Sequence, residues 1–128
     1  MRNRLIGAAA AMLAVTAFGC GGKSNSSAAW TCNVAASTGF CYEWTAPSNL
    51  NSSDVSQLQQ ALQQNCTSSQ GIFSTGLDCP AMNRVGTCAQ SYDQEHGVPH
   101  NIVLYAPNHS AQVGQALCVG IGGAWTPS

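Results

Sequence analysis

Charge is scarce in this chain. Asp, Glu, Lys and Arg together make up 7% of its 128 residues, against about 25% in ordinary soluble domains. Arg2 and Arg4 fall within the first four positions. The rest therefore carries Lys23 and Arg84 against Glu43, Asp54, Asp78, Asp93 and Glu95, two positive minus five negative, or −3. A surface that neutralises a phosphate backbone is excluded, and no nucleic-acid partner is expected. A bilayer-spanning run is missing too: the uncharged stretch Leu5 to Phe18 has 14 residues, about 21 Å of helix against a hydrocarbon core of roughly 30 Å. Catalytic and metal signatures are equally absent. There is no Gly-x-Ser-x-Gly turn, no alternating-acid calcium loop, and no cysteine pair at the close spacing of structural zinc ligands. The length suits one domain rather than two ordinary ones. No enzyme activity, catalytic residue, cofactor or metal is expected.

What is present begins with an address. Met1-Arg2-Asn3-Arg4 is a short cationic segment, Leu5 to Phe18 is its apolar continuation, and Ala17-Phe18-Gly19 is a small-x-small cleavage site. Residues 1–19 read as a signal peptide. Ala17-Phe18-Gly19-Cys20 resembles the bacterial lipobox, although Ala17 stands where Leu is usual; the resemblance implies that Cys20 is lipidated and becomes the first mature residue. Parity agrees, because seven cysteines cannot all pair and Cys20 is the one at the signal boundary. Residues 20–29 carry the lipid and a Gly/Ser-rich spacer. The chain is thus expected to be exported, to have the membrane as partner through its lipid, and to reside in the cell envelope. Gly21 in place of the Asp that signals inner-membrane retention suggests the bacterial outer membrane by analogy.

From residue 30 to 128 the chain reads as a cysteine-rich domain that repeats itself. Cys32 and Cys41 match Cys79 and Cys88 at an offset of 47, as Gly39 matches Gly86; Cys66, Gly71 and Phe73 match Cys118, Gly123 and Trp125 at an offset of 52. The units run from about 32 to 78 and from 79 to 126. In the first, Phe40, Tyr42 and Trp44 alternate with Cys41, Glu43 and Thr45, the period-two pattern of a strand. In the second, a polar tip from Tyr92 to Pro99 separates a Cys88–Gln90 run from an Ile102–Tyr105 run, which reads as a hairpin absent from the first unit. Both runs end in Ala-Pro. Helices follow: Asp54 to Cys66, with Val55, Leu58, Leu62 and Cys66 on one stripe and Ser53 as N-cap, and the weaker Ser110 to Leu117, interrupted by Gly114. Short strands at Ile72–Ser74 and Ala124–Thr126 close each unit. The fold class expected is a small disulfide-rich α+β domain of two pseudo-repeated strand-helix-strand units with an antiparallel sheet.

Units of this size lack a sufficient core, so crosslinks are expected from Cys32, Cys41, Cys66, Cys79, Cys88 and Cys118. Six cysteines allow 15 pairings. The favoured set is Cys41 with Cys66, Cys88 with Cys118, and Cys32 with Cys79. Cys79-Pro80, Arg84-Val85-Gly86-Thr87-Cys88, Gln115-Ala116-Leu117-Cys118 and Gly122-Gly123-Ala124-Trp125 resemble a unit of cysteine-rich bacterial lipoproteins of myxobacterial type. That resemblance implies architecture and localisation, and assigns no catalytic residue.

Asp93, Glu95, His96 and His100 form the densest polar cluster, but Gly97 and Pro99 prevent the helix that would align the two histidines on a metal, and a solvated hairpin tip explains the same residues. Phe40, Tyr42 and Trp44 either fill the core or offer a platform to a sugar ring or peptide. A structural or interaction role in the envelope is expected. The alternative is a glycan- or peptide-binding module that uses Tyr42 and Trp44, with a cell-surface protein or glycan as partner.

Overall fold

The computed structural model describes residues 29–90 and 97–128. The expected signal segment, Cys20, the spacer up to residue 28, and Asp93, Glu95 and His96 of the hairpin tip lie outside the described residues. Among the described residues no helix is long and apolar enough to cross a membrane.

The chain opens with a hairpin. Strand β1 spans Trp30–Val34 and β2 spans Phe40–Trp44, joined by one helical turn, α1, at Ala35–Thr38. The side chain of Asn33 starts the turn by accepting the Ala35 N–H at 2.9 Å. Gly39 ends it at φ 76°, the left-handed conformation that only glycine takes without steric cost. Helix α2, Ser52–Ser68, follows. Its N-cap is Asn51 rather than Ser53: the Asn51 side chain accepts the Asp54 N–H and donates back to the Asp54 carboxylate, at 2.9 and 2.8 Å, satisfying the first turn from both directions. Leu62 and Cys66 of the expected stripe are buried, with Val55 and Leu58 packed beside them. Strand β3, Ile72–Thr75, then returns along β1.

The second half uses the same order of elements. Strands β4, Arg84–Gln90, and β5, His100–Tyr105, pair as a hairpin. Helix α3, Ala111–Gly120, is capped by Ser110, whose hydroxyl accepts the Val113 N–H at 3.2 Å. Strand β6, Ala124–Pro127, returns along β4. Gly114 is tolerated in α3 because Trp125 lies against it: a Cβ there would come within 2.5 Å of the indole ring.

The six strands form one antiparallel sheet in the order β3-β1-β2-β5-β4-β6. Phe73, Cys32, Tyr42, Ile102, Cys88 and Trp125 stand opposite one another in a single row across it, so their side chains share a face. Cys32 bonds Cys66 near the end of α2, and Cys88 bonds Cys118 near the end of α3. Both helices therefore lie on that face, α2 against β1 and β3 and α3 against β4 and β6.

The third bond, Cys41–Cys79, corrects two of the three expected pairings; Cys88–Cys118 is as expected. Cys41 alternates with Phe40 and Tyr42 and so points to the face away from the helices, out of reach of Cys66. Cys32, on the helix face, takes Cys66 instead. The expectation failed because β1 was not recognised as a strand. Thr31 is as buried as Trp30 and Cys32, at 3% exposure each, so the polar–apolar alternation that marks a half-exposed strand is muted. For the same reason the first half had not been credited with a hairpin.

On the face opposite the helices, residues 76–83 form a strap over Cys41, Val103 and Tyr105. Cys79 anchors it covalently, and its N–H donates to Glu43 Oε1 at 2.9 Å. Arg84 Nη2 donates to the carbonyls of Cys79 and Pro80 at 2.8 and 3.3 Å, and lies 4.0 Å from Glu43 Oε1. The Tyr105 hydroxyl donates to the Pro80 carbonyl at 2.6 Å. Burial raises the Tyr105 pKa; the Arg84 charge and hydrogen bond oppose the shift, and Glu43 adds to it.

Candidate functional site

Because each helix covers the outer strands of its own half, the middle of the sheet is left open between them. A groove of about 920 Å³ runs there over β2, within the usual range for ligand sites. Its floor follows from the alternation of β2: Phe40, Tyr42 and Trp44 point to the helix face one after another. Adjacent ring centroids are 6.3 and 5.9 Å apart, with planes 29° and 22° from parallel.

Two histidines extend this row. His100, opposite Trp44 on β5, places its ring 6.5 Å from the indole. His109 sits 4.3 Å from Phe40 at the other end. His109 Nε2 lies 2.9 Å from the Thr38 carbonyl; a carbonyl only accepts, so Nε2 is the protonated nitrogen. The row thus runs His109, Phe40, Tyr42, Trp44, His100.

The walls come from helix ends. Asn65 and Ser69 of the α2 terminus stand on one side, and Gly120, Ile121 and Gly122 of the α3 terminus on the other. Gln90 is held at the rim by donating to the Ile121 carbonyl at 3.0 Å. Among the described lining residues none is Asp, Glu, Lys or Arg. The groove therefore offers aromatic carbon, hydroxyls and amides and no formal charge.

The two residues singled out for binding differ in placement. Tyr42 is half-buried and lines the groove. Trp44 is 7% exposed and belongs to the core with Trp30, Val34, Leu62 and Val98, so it supports the floor more than it presents a surface. His100 joins this aromatic row. Among the described residues no group of three His, Cys, Asp or Glu is placed to hold a metal ion. Thr38, Asn65, Ser69 and the 120–122 turn carry no local signal of a site. Only the tertiary placement of the helix ends brings them to β2. Comparison of the chain with protein-family models, curated proteins and solved structures finds no match.

Proposed function

We propose that this chain is a lipid-anchored, disulfide-stabilised protein of the bacterial cell envelope with an interaction role, and that the groove between its helices binds a neutral glycan segment. The observation that carries the binding reading is the aromatic row of β2 in a cleft whose described lining has no charged side chain. Sugar rings combine apolar C–H faces with hydroxyls and carry no charge, which matches aromatic floor and amide or hydroxyl walls. A peptide is a poorer fit, because β2 and β5 are each paired on both sides and the floor has no strand edge to extend.

Anchoring is supported by the lipobox-like Ala17-Phe18-Gly19-Cys20 and by arithmetic: the three bonds use six of the seven cysteines and leave Cys20. Outer-membrane residence and kinship with myxobacterial-type lipoproteins belong to the same reading. We also read the domain as a duplication of one unit. Hairpin, helix and returning strand occur in both halves, and Cys32, Cys66, Gly71 and Phe73 occupy the positions that Cys88, Cys118, Gly123 and Trp125 occupy in the second. The unit boundaries then fall between β3 and β4, and Cys41 and Cys79 belong together in the first half.

The test is titration of the protein with neutral cello-, chito- and malto-oligosaccharides and with an uncharged peptide of similar length, followed by tyrosine and tryptophan fluorescence. One sugar series is expected to saturate. Tyr42→Ala should weaken it about tenfold, equivalent to about 1.4 kcal/mol, with the fold intact by circular dichroism. Saturation by the peptide alone, or by neither probe, overturns the glycan reading.

A further inference from the structure

We propose that the end of the domain where the tether enters is a membrane-apposed surface, seated on the bilayer through Leu77, Leu117, Val119 and Ile121. The proposal rests on the reading of Cys20 as the lipidated residue, and it adds a second, non-covalent contact with the same membrane.

Hydrogen bonds and strand register place these side chains. Ala29, the first described residue, donates its N–H to the Trp44 carbonyl at 2.9 Å and accepts the Gly76 N–H at 3.0 Å. Trp44 stands opposite His100, and His100 opposite Gln90. Gln90 in turn donates to the Ile121 carbonyl at 3.0 Å. The entry of the chain, the turn after β3 and the last turn of α3 therefore share one end of the sheet.

That end is rich in uncovered apolar surface. Leu77 is 61% exposed, Leu117 47%, Val119 65% and Ile121 52%, where a water-facing end would carry polar groups. Helix α3, AQVGQALCVG, has no charged residue, whereas the outward positions of α2 are mainly Gln, Asn and Ser. The remaining exposed large apolar side chains lie elsewhere. Val113 is earlier on α3. Ile72 stands opposite Asn33 at the far end of β1, and Met82 is in the strap.

The tether identifies what covers this end. From Cys20 to Ala29 the chain advances nine residues, at most about 30 Å when fully extended. A lipid on Cys20 confines this end of the domain to the neighbourhood of the bilayer. The second contact is then intramolecular, with an effective concentration near the millimolar range, so a patch of this modest size suffices. Charge sets the kind of surface. With −3 beyond Arg4 and no basic cluster, attraction to anionic headgroups is not available, so contact is by apolar insertion into a neutral interface.

The experiment uses the mature protein, extracted from membranes and reconstituted in phosphatidylcholine vesicles that carry a photoactivatable diazirine on a fraction of the lipid. Intact mass reports acylation of Cys20, and peptide mapping after irradiation reports which side chains met lipid. Expected are an acylated Cys20, label on Leu77, Leu117, Val119 and Ile121, and little on Ile72 and Met82. Val119→Ser with Ile121→Ser should lower labelling of Leu117 at least threefold while the protein stays anchored. Acylated Cys20 with no label at this end, or equal label on Ile72 and Met82, overturns the apposed surface and leaves the anchor standing. An unmodified Cys20 removes the tether and the proposal with it. Protein–protein crosslinks through these residues, in place of lipid adducts, would assign the patch to a second copy of the chain and overturn it as well.

Discussion

Tyr105 shows how single side chains hold the strap in place. Its hydroxyl gives its proton to the Pro80 carbonyl, and burial raises its pKa above the ordinary 10.0. A raised folded-state pKa means that the native protein holds the proton more tightly than the unfolded chain. The stabilisation is therefore complete below pH 10 and is lost as pH climbs through the raised value. Tyr105→Phe is expected to cost about 1 kcal/mol at neutral pH and to flatten the decline in stability above pH 10; urea unfolding at pH 7 and at pH 10.5 measures both. Gly71 and Gly123 illustrate a different constraint at this scale. Each lies beside both sulfurs of a disulfide, Cys32–Cys66 and Cys88–Cys118 respectively, and a Cβ at Gly71 would come 2.6 Å from Cys32 Sγ. Their spacing from Cys66 and Cys118 was legible as a pattern in the sequence. Its cause, room for the disulfide, was not, because it depends on which cysteine the chain brings opposite.

Among the elements, the strap is the one without secondary structure of its own and the most dependent on its crosslink. Cys41→Ala with Cys79→Ala is expected to lower stability by about 3 kcal/mol, the chain-entropy worth of a loop of this length, and to loosen the Glu43 and Arg84 contacts that the strap completes. Differential hydrogen exchange would show it as faster exchange at 76–83, with α2 little changed. The helices and β2 were readable beforehand because each shows one periodicity: 3.6 in Val55, Leu58, Leu62 and Cys66, and 2 in Phe40, Tyr42 and Trp44. β1 was not, because a strand with neighbours on both sides and both faces covered loses its alternation. That omission reversed two disulfides. The groove was legible only as an aromatic strand face: the Phe40–Tyr42–Trp44 row is local, whereas the walls come from helix termini more than twenty residues away in the chain.

For the molecule as a whole, two small clusters replace one large core. The first gathers Trp30, Val34, Trp44, Leu62 and Val98 under α2, and the second gathers Val103 and Tyr105 around Cys41–Cys79 beneath the strap. With so little aliphatic volume, crosslinks carry much of the burden of order, and their layout gives the chain an uneven covalent continuity. The rings closed by Cys32–Cys66 and Cys41–Cys79 interlock in sequence, while the ring closed by Cys88–Cys118 stands alone. Among the described residues, a break anywhere from 32 to 79, or from 88 to 118, leaves the fragments joined. A break between 79 and 88 does not. The single basic residue after Lys23, Arg84, falls in that interval, inside β4 and half-buried. Trypsin should therefore leave the folded domain whole. Once the domain is denatured with its disulfides intact, trypsin should part it at the Arg84–Val85 bond into two pieces that separate without any reductant, so the seam between the halves is also the chain's one point of covalent weakness.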